Sequence, residues 1–566
     1  MSLEMLINIE DKYVRKTNIG KFGICELPNE SFLDNKIDSL IFLQTKYKQF
    51  LWVKNNKKYI LECDGVTREM MMCKIVTLEQ MLEISPILKD LISEKDVSKK
   101  DDIETIRVIY ARCVNSMNFL DKVYRDHVYK IKFNNNDILA IKSVAGSGKT
   151  TTLLELSKIH NTKKILYIAF NKSLITEIRS KIQEKSLRNL FPTTFDALMR
   201  DVFINKTGIE PNIVDLKPQT LPHIMSWFVN KPYRIKNYYI SNFKKFCNQT
   251  KYSDIHEFSK KVLGGDKKLL INMWEQTLTH DLITFDSIRK MVEMNHWCKD
   301  YLDSKYDMIF IDESQDFDNT MLKILLEDTT IPKIFVGDPK QAIYEWKGCI
   351  NAFDKLPESA LTLEFYSTFR VGAPACDEIR NKFDSCWMIS KSKNETHLKY
   401  DIVPTSKYVY LFRSWKNLLK TAQNIPNIWI YNYDVQIEFI KKLHAKLQIS
   451  NLDEDELNEF SDDLPKFLLK LSLEELEKII NDIEGNMVAK DMCMVEMYTI
   501  HSYKGLESDI IRIFNDIDIR NEQNLYYVAL TRGMKEIILD NVLMDYENEY
   551  EKKKQTKLSK FGINKL

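Results

Sequence analysis

A turn that ends in lysine and a hydroxyl can grip a triphosphate, and Ser143-Val144-Ala145-Gly146-Ser147-Gly148-Lys149-Thr150 ends that way. The apolar run Asp137-Ile138-Leu139-Ala140-Ile141-Lys142 precedes it and the helix-forming Thr151-Thr152-Leu153-Leu154-Glu155-Leu156 follows. Strand, glycine-bearing turn and helix form the context in which such a pattern binds phosphate. Backbone N–H groups at the helix start point at phosphate oxygens, and glycine lets the chain approach without a Cβ. The nucleotide-binding set is therefore Ser143, Val144, Ala145, Gly146, Ser147, Gly148, Lys149, Thr150 and Thr151. Lys149 is expected on the β- and γ-phosphates and Thr150 on Mg²⁺. Ser143 stands at the first position of the pattern, where glycine is usual.

Two further strings complete a hydrolytic site. Asp312-Glu313-Ser314-Gln315-Asp316 supplies adjacent carboxylates with separable jobs: Asp312 to position Mg²⁺, Glu313 to polarise the attacking water. Gly337-Asp338-Pro339-Lys340-Gln341 brings an uncharged donor, Gln341, toward the γ-phosphate. Tyr344, Trp346 and Lys347 follow directly, and a base stacked on such a ring gains about 1–3 kcal/mol whatever its identity. Thr499-Ile500-His501-Ser502-Tyr503-Lys504-Gly505-Leu506-Glu507 and Val528-Ala529-Leu530-Thr531-Arg532 come later. In this order the five strings imply a motor driven by a nucleoside triphosphate, with Mg²⁺, that moves on a nucleic acid strand.

The elements that must position these groups are legible as buried strands. Tyr306-Asp307-Met308-Ile309-Phe310-Ile311 delivers the carboxylates at its C-terminal end, and Lys333-Ile334-Phe335-Val336 delivers the Gln341 turn. Ligands bind at such ends in open α/β sheets. A chain of 566 residues suits roughly three or four folded units. Its formal charge of +1 creates no global field for a polyanion, so any nucleic-acid groove must be local. Ten cysteines without a C-x-x-C pair argue against zinc and a disulfide framework. With no leader-like start and no long apolar run, the expectation is a soluble intracellular protein, in cytoplasm, nucleus or a viral replication site.

The order and wording of the strings resemble the UvrD/PcrA/Rep group of superfamily 1 DNA helicases, and more closely its F-box DNA helicase branch. Ala169-Phe170-Asn171-Lys172-Ser173, Thr194-Phe195, His280-Asp281 and Val336-Gly337-Asp338-Pro339 carry the resemblance, which spans about residues 137–540. It implies an α/β fold of two tandem RecA-like P-loop domains, ATP between them, single-stranded DNA across their tops and 3′ to 5′ translocation. Thr368-Phe369-Arg370 matches the family's Tyr-Arg string, so the resemblance makes Arg370 a γ-phosphate arginine, while Phe369 keeps a stacking face without the hydroxyl. Arg532 becomes the second such arginine, from the other domain, and Glu507 the acid that meets the nucleotide sugar. Thr499, His501 and Lys504 lie on the string that touches DNA and the cleft, and Phe170, Asn171, Thr194 and Phe195 match DNA-facing positions. Asp196 replaces a frequent histidine, and the family's upstream adenine-reading glutamine is missing, since no Gln occurs between Gln80 and Gln183.

The expected division is an N-terminal module of unknown role over 1–120, a first RecA-like ATP-binding domain over 121–360 with a helical insertion at about 200–280, a second over 361–545 with a short helical insertion at about 432–487, and a basic tail over 546–566. The N-terminal module reads as small and mixed, with a hairpin across Lys48–Cys63 and helix starts at Thr77–Gln80 and Ser85-Pro86. Basic residues interleaved with rings, from Lys231 to Phe246, suit either a strand or duplex contact or a helix face over a core. In the tail, Gln555 to Phe561 has the spacing of a sliding-clamp-binding box, with Gly562 where a second aromatic is usual. Expected partners are single-stranded DNA and a 3′-tailed duplex, and the expected activity is an ATP-dependent DNA helicase or translocase in repair, recombination or replication. The alternatives are an RNA-directed superfamily 1 motor, disfavoured by Gln341-Ala342-Ile343-Tyr344, an ATPase that does not separate strands, and a scaffold with a decayed site.

Overall fold

The computed structural model of the chain describes, before residue 121, five strands at 14–16, 23–26, 39–43, 49–54 and 57–62, and from 121 to 540 all residues except 123, 170, 346–347, 384–387 and 450–466. The five strands Val14–Lys16 (β1), Gly23–Glu26 (β2), Ser39–Leu43 (β3), Gln49–Lys54 (β4) and Lys57–Glu62 (β5) form an antiparallel meander in chain order. The expected hairpin is its last pair, with Trp52 opposite Tyr59 and Lys54 opposite Lys57. The helix starts expected near Thr77 and Ser85, and the tail with its clamp-like spacing, lie outside the described residues.

The first large sheet contains Ile138–Ser143 (β6), Ile165–Ala169 (β7), Leu190–Thr194 (β8), Met308–Ile311 (β9), Lys333–Gly337 (β10) and Leu361–Phe365 (β11), in the order β11-β6-β10-β9-β7-β8. Every pairing is parallel. β7, β9 and β10 are buried on both faces, as parallel strands covered by helices must be. Leu153, Leu156, Ile175 and Ile178, from helices 149–159 and 172–184, pack on one face with Ile141 and Tyr167. Leu198, Val202, Ile288, Ile324 and Leu325 pack on the other with Ala140, Leu166 and Ile168. β6 sits between β10 and β11, so the connections leaving it and returning to it diverge, and a crevice opens at their carboxyl ends.

The chain division expected after residue 360 precedes a strand that this sheet holds: β11 pairs with β6 from Leu361↔Leu139 to Phe365↔Ser143. The first sheet therefore ends at Phe365. Ser367–Thr368 (β12) and Ile389–Ser390 (β13) then form a short parallel pair. The second large sheet holds His397–Tyr400 (β14), Tyr408–Phe412 (β15), Ile428–Ile430 (β16), Val495–Thr499 (β17), Ser508–Ile513 (β18) and Gly533–Leu539 (β19), ordered β14-β19-β18-β15-β17-β16 and parallel throughout. The α/β class with two successive parallel sheets is as expected. One apolar cluster joins the two bodies, running from Ile141 and Phe365 to Tyr498, Tyr527 and Val528.

The described residues between β8 and β9 and between β16 and β17 form helices that pack inward. Between β8 and β9 the chain is helical from Phe195–Thr207 to Cys298–Lys305. The Lys- and aromatic-rich stretch forms the helix Tyr233–Cys247, and Tyr239, Phe243 and Phe246 lie in its core with Trp274. Lys244 and Lys245 stay exposed. Tyr239, Phe243 and Phe246 are thus a helix face over a core and offer no platform to a base, while Tyr233 and Tyr238 are half-buried. Between β16 and β17, helices Tyr433–Ile449 and Leu473–Asn486 lie on the second sheet through Ile440, Leu443, Ile480 and Ile483. The second of these starts with a capping box between Ser472 and Glu475. No helix among the described residues is long and apolar enough to cross a membrane, and none of their His, Cys, Asp or Glu side chains cluster to hold a metal in groups of three or more.

Asp196 ties the helix that follows β8 to a helix that precedes β9. It pairs with the buried Arg289 on helix Phe285–Met294, which also pairs with Asp286 and lies 3.6 Å from Asp318. Replacing Arg289 with methionine leaves these carboxylates facing one another, and removing one partner of a buried ion pair costs about 3–5 kcal/mol. Hydrogen exchange of helices 195–207 and 285–294 should therefore show local opening easier by that amount in Arg289→Met. Unchanged protection would contradict this account of the insertion.

Candidate nucleotide and nucleic-acid site

The phosphate loop leaves β6 at the crevice. Ser143 Oγ donates to Gly337 O at 3.0 Å, so the side chain that departs from the usual glycine ties β6 to β10 without entering the loop. Gly146 and Gly148 have φ of 70° and 81°, the left-handed region that glycine enters without strain. Gly148 is the N-cap of helix Lys149–Ile159 and has no side-chain cap, which leaves first-turn N–H groups for an anion. Ser147 Oγ is buried without a hydrogen-bond partner, so the loop holds a hydroxyl donor suited to a phosphate oxygen.

The carboxylates stand where β9 ends. Asp312 Oδ2 lies 3.3 Å from Thr150 Oγ1 and accepts from Tyr167 OH at 2.5 Å, while its Oδ1 accepts from Glu313 N at 2.9 Å. One carboxylate beside one hydroxyl fits Mg²⁺, which is usually bound by one or two carboxylates together with substrate phosphates and water. Glu313 Oε1 lies 3.4 Å from Lys149 Nζ, and Glu313 Oε2 accepts from Gln315 Nε2 at 2.5 Å. Its φ of 51° is unusual for a non-glycine residue and aims the carboxylate into the crevice beside Lys149. Burial and the charge of Glu313 raise the Asp312 carboxyl. Burial acts the same way on Glu313, but Lys149, Lys504, Gln315 and Arg532 outweigh it and hold that group low. The two neighbours are thereby driven apart, one stabilised as a charged acceptor and the other easier to protonate.

Arg370 and Arg532 arrive from beyond the first sheet. Phe369 N donates to Gly146 O at 2.8 Å, which seats the Thr368–Arg370 segment directly on the phosphate loop. A Cβ on Gly146 would lie 2.6 Å from Arg370 Cβ and 2.8 Å from Thr368 Oγ1, so this approach requires glycine. Arg370 Nε donates to Glu507 Oε2 at 2.5 Å and Nη1 to Thr531 O at 3.3 Å. Arg532, 1% exposed, follows helix Gln523–Leu530 and donates to Val528 O, Leu506 O and, from Nη2, to Gln341 Oε1 at 3.2 Å. Gln341 Nε2 donates to Asp338 Oδ2 at 2.8 Å. Burial, then the like charge of Arg370, disfavours the charged form of Arg532. A polyanion in this pocket acts in the opposite sense. Lys149, Glu313, Gln341, Arg370, Arg532 and Glu507 therefore line one crevice.

The residues expected to meet nucleic acid divide. Tyr344 OH donates to His501 O at 3.1 Å, with the rings 6.1 Å apart, so these two meet across the bodies. Thr499, Asn171 and Thr194 are all N-caps, accepting from Ser502 N, Leu174 N and Ala197 N respectively. Phe369 is 55% exposed beside the phosphate loop. Phe195, by contrast, is 3% exposed and packs edge-on against Phe317, so it has no face left for a base. Phe170, Trp346 and Lys347 lie outside the described residues.

Sequence reasoning missed several residues of this pocket. Asp121 accepts from Tyr366 N, Ser367 N and Ser367 Oγ at 2.6, 2.9 and 2.6 Å. Arg125, paired with Asp121 at 2.8 Å, donates to Ser147 O at 3.0 Å and lies over the Phe365 and Phe369 rings at 4.3 and 5.4 Å. Together they pin the phosphate loop to the segment that carries Arg370. Tyr527 OH bridges Ala145 N and Asp338 Oδ2, at 3.1 Å each. The only available signals were an i,i+4 Asp/Arg pair before the loop and a tyrosine in the Arg532 helix.

Residues 129–356 match the UvrD/REP helicase N-terminal domain family. F-box DNA helicase protein 1 of Schizosaccharomyces pombe is 22% identical over 514 residues, covering 74% of this chain and 57% of that protein. F-box DNA helicase 1 of Gallus gallus is 24% identical over 504 residues, covering 73% of this chain and 48% of that protein. Gabija protein GajB of Bacillus cereus is 23% identical over 497 residues, 72% of this chain and 93% of its own length. The chain thus spans about half the length of the two F-box relatives.

The Gly146 geometry makes a sharp prediction. Gly146→Ala forces the Thr368–Arg370 segment off the loop, so affinity for a fluorescent ATP analogue should fall at least about tenfold, near 1.4 kcal/mol. Wild-type affinity in Gly146→Ala would contradict the close approach as a requirement of the site.

Proposed function

We propose that this chain, which carries a UvrD/REP helicase N-terminal domain and is similar over most of its length to superfamily 1 DNA helicases, is an ATP-dependent 3′ to 5′ DNA helicase or translocase. The observation that carries the reading is the meeting of Lys149, Gln341, Arg370 and Arg532 around one phosphate loop, with Arg532 supplied by the second sheet. Lys149 and the loop N–H groups bind the triphosphate, and Glu313 orients and polarises the attacking water. Thr150 and Asp312 would hold Mg²⁺, which would supply positive charge to offset that of the phosphates. Arg370 and Arg532 stabilise charge on the phosphoryl group in transfer, a role worth on the order of 10³–10⁵ in rate.

Because Arg532 comes from the second body, hydrolysis depends on the closed arrangement, and a cycle of closing and opening becomes a step along a strand. The strand is taken to cross between the bodies at Tyr344 and His501, a reading supported by their contact across them. Phe369, exposed and seated beside the phosphate loop, would offer its ring to a base of the strand. The 3′ to 5′ polarity and a role in repair, recombination or replication rest on similarity to the UvrD-like group.

In a single-stranded-DNA-stimulated ATPase assay, Lys149→Ala and Glu313→Gln should lose nearly all turnover, and Arg532→Ala should lower kcat by about 10³ or more. Near-normal rates in these variants would remove the proposed roles. On duplexes tailed at one end, DNA with a 3′ overhang should be unwound in preference to a 5′ overhang and to the RNA equivalents. Preference for a 5′ tail would contradict the polarity, and preference for RNA would favour an RNA-directed motor.

A further inference from the structure

We propose that Tyr167 is a positioning residue that makes the Asp312 site select Mg²⁺ over Ca²⁺, an inference that rests on the metal role given to Asp312 above. Its side chain is wholly buried on β7, in one apolar cluster with Leu153 and Leu156 of the helix Lys149–Ile159. β7 pairs with β9, Tyr167 standing opposite Phe310, and Asp312 N donates to Ile168 O at 2.9 Å. The phenol therefore reaches the carboxylate from the neighbouring strand. Its hydroxyl donates to Asp312 Oδ2 at 2.5 Å, the same oxygen that lies 3.3 Å from Thr150 Oγ1.

Different donors hold the two ends of this carboxylate. Tyr167 takes Oδ2, while Glu313 N takes Oδ1 at 2.9 Å. A carboxylate fastened at both oxygens cannot turn about its Cβ–Cγ bond without breaking one of these bonds. Without the Tyr167 hydroxyl, Oδ2 keeps only Thr150, the hydroxyl already assigned to the metal. Asp312 is buried, and a buried acceptor short of a donor is unfavourable, so the group is then free to swing and has reason to. The consequence differs between ions. Mg²⁺ demands near-ideal octahedral coordination at about 2.0–2.1 Å, whereas Ca²⁺ accepts about six to eight oxygens at about 2.3–2.6 Å in flexible geometry. A ligand fixed in direction favours the stricter ion. Hydrogen-bond partners that orient metal ligands are worth roughly 10–100-fold in metal affinity.

Binding of a fluorescent, non-hydrolysable ATP analogue, in EDTA and across titrations of Mg²⁺ and of Ca²⁺, gives the test. The proteins are wild type, Tyr167→Phe, Asp312→Asn and the double variant. Phenylalanine keeps the ring and its packing and removes only the donor. In Tyr167→Phe the affinity in EDTA should match wild type, the Mg²⁺ midpoint should rise about 10–100-fold, and the Ca²⁺ midpoint should move less than about threefold. Because Tyr167 acts through Asp312, the metal response of Asp312→Asn should be the same with and without Tyr167→Phe. If Tyr167→Phe melts below the assay temperature, replacement of Tyr167 by 4-fluorophenylalanine, which fills the space of the hydroxyl without a donor, decides. An unchanged Mg²⁺ midpoint, equal shifts for the two ions, or a further loss in the double variant overturns the proposal. An equal loss of affinity in EDTA and in Mg²⁺ also overturns it, since that is the mark of packing alone. Wild-type binding that neither ion strengthens overturns the metal role of Asp312 and this inference but spares the phosphate loop. Failure of wild type to bind the analogue under any condition overturns the ATP reading as well.

Discussion

The whole arrangement depends on bringing Lys149, Arg370 and Arg532 to one loop. Like charges in a buried crevice repel, and only fixed partners keep them there. Glu313 answers Lys149, Glu507 answers Arg370, and Arg532 is restrained by the carbonyls of Val528 and Leu506 and by Gln341 Oε1. These partners come from both sheets. Neither body alone holds the set, and a polyanion that enters between them relieves the repulsion while pulling the bodies together.

The backbone makes the convergence possible. β11 ends the first sheet and runs at once into the Thr368–Arg370 segment, which lies on Gly146 because that residue has no Cβ. Asp121 and Arg125 brace the same segment from upstream of the loop. Tyr527 and Lys504 repeat the theme from the second body, reaching Ala145 and Asp316. The pocket is stitched by hydrogen bonds between residues distant in the chain. The apolar cluster that extends from Ile141 to Tyr527 supplies the adhesion behind them.

What the sequence could reveal follows from the range of each interaction. The phosphate loop, the strand-end carboxylates and the Gln341 turn are local strings that carry their own context, and they occupy neighbouring strands β6, β9 and β10. Arg370 and Arg532 were legible through family resemblance alone, since nothing in their spacing brings them together. The Lys504–Asp316 pair spans 188 positions and the Asp121–Ser367 contact 246, so no window of sequence contains either. Burial was the other blind spot. Tyr239, Phe243, Phe246 and Phe195 look alike as core and as base platforms, and helical packing places all four inside. The assignment of residues 361–365 to the second unit failed because an edge strand returning to β6 is set by topology, which composition does not encode.

Hydrogen exchange with and without a non-hydrolysable ATP analogue tests the central claim most directly. If the two bodies share the triphosphate, the analogue protects backbone amides near Ser143–Thr151 and also those around Phe369–Arg370, Leu506–Ser508 and Thr531–Gly533. Protection confined to the phosphate loop and the carboxylate turn, with the second body unchanged, would contradict a shared site.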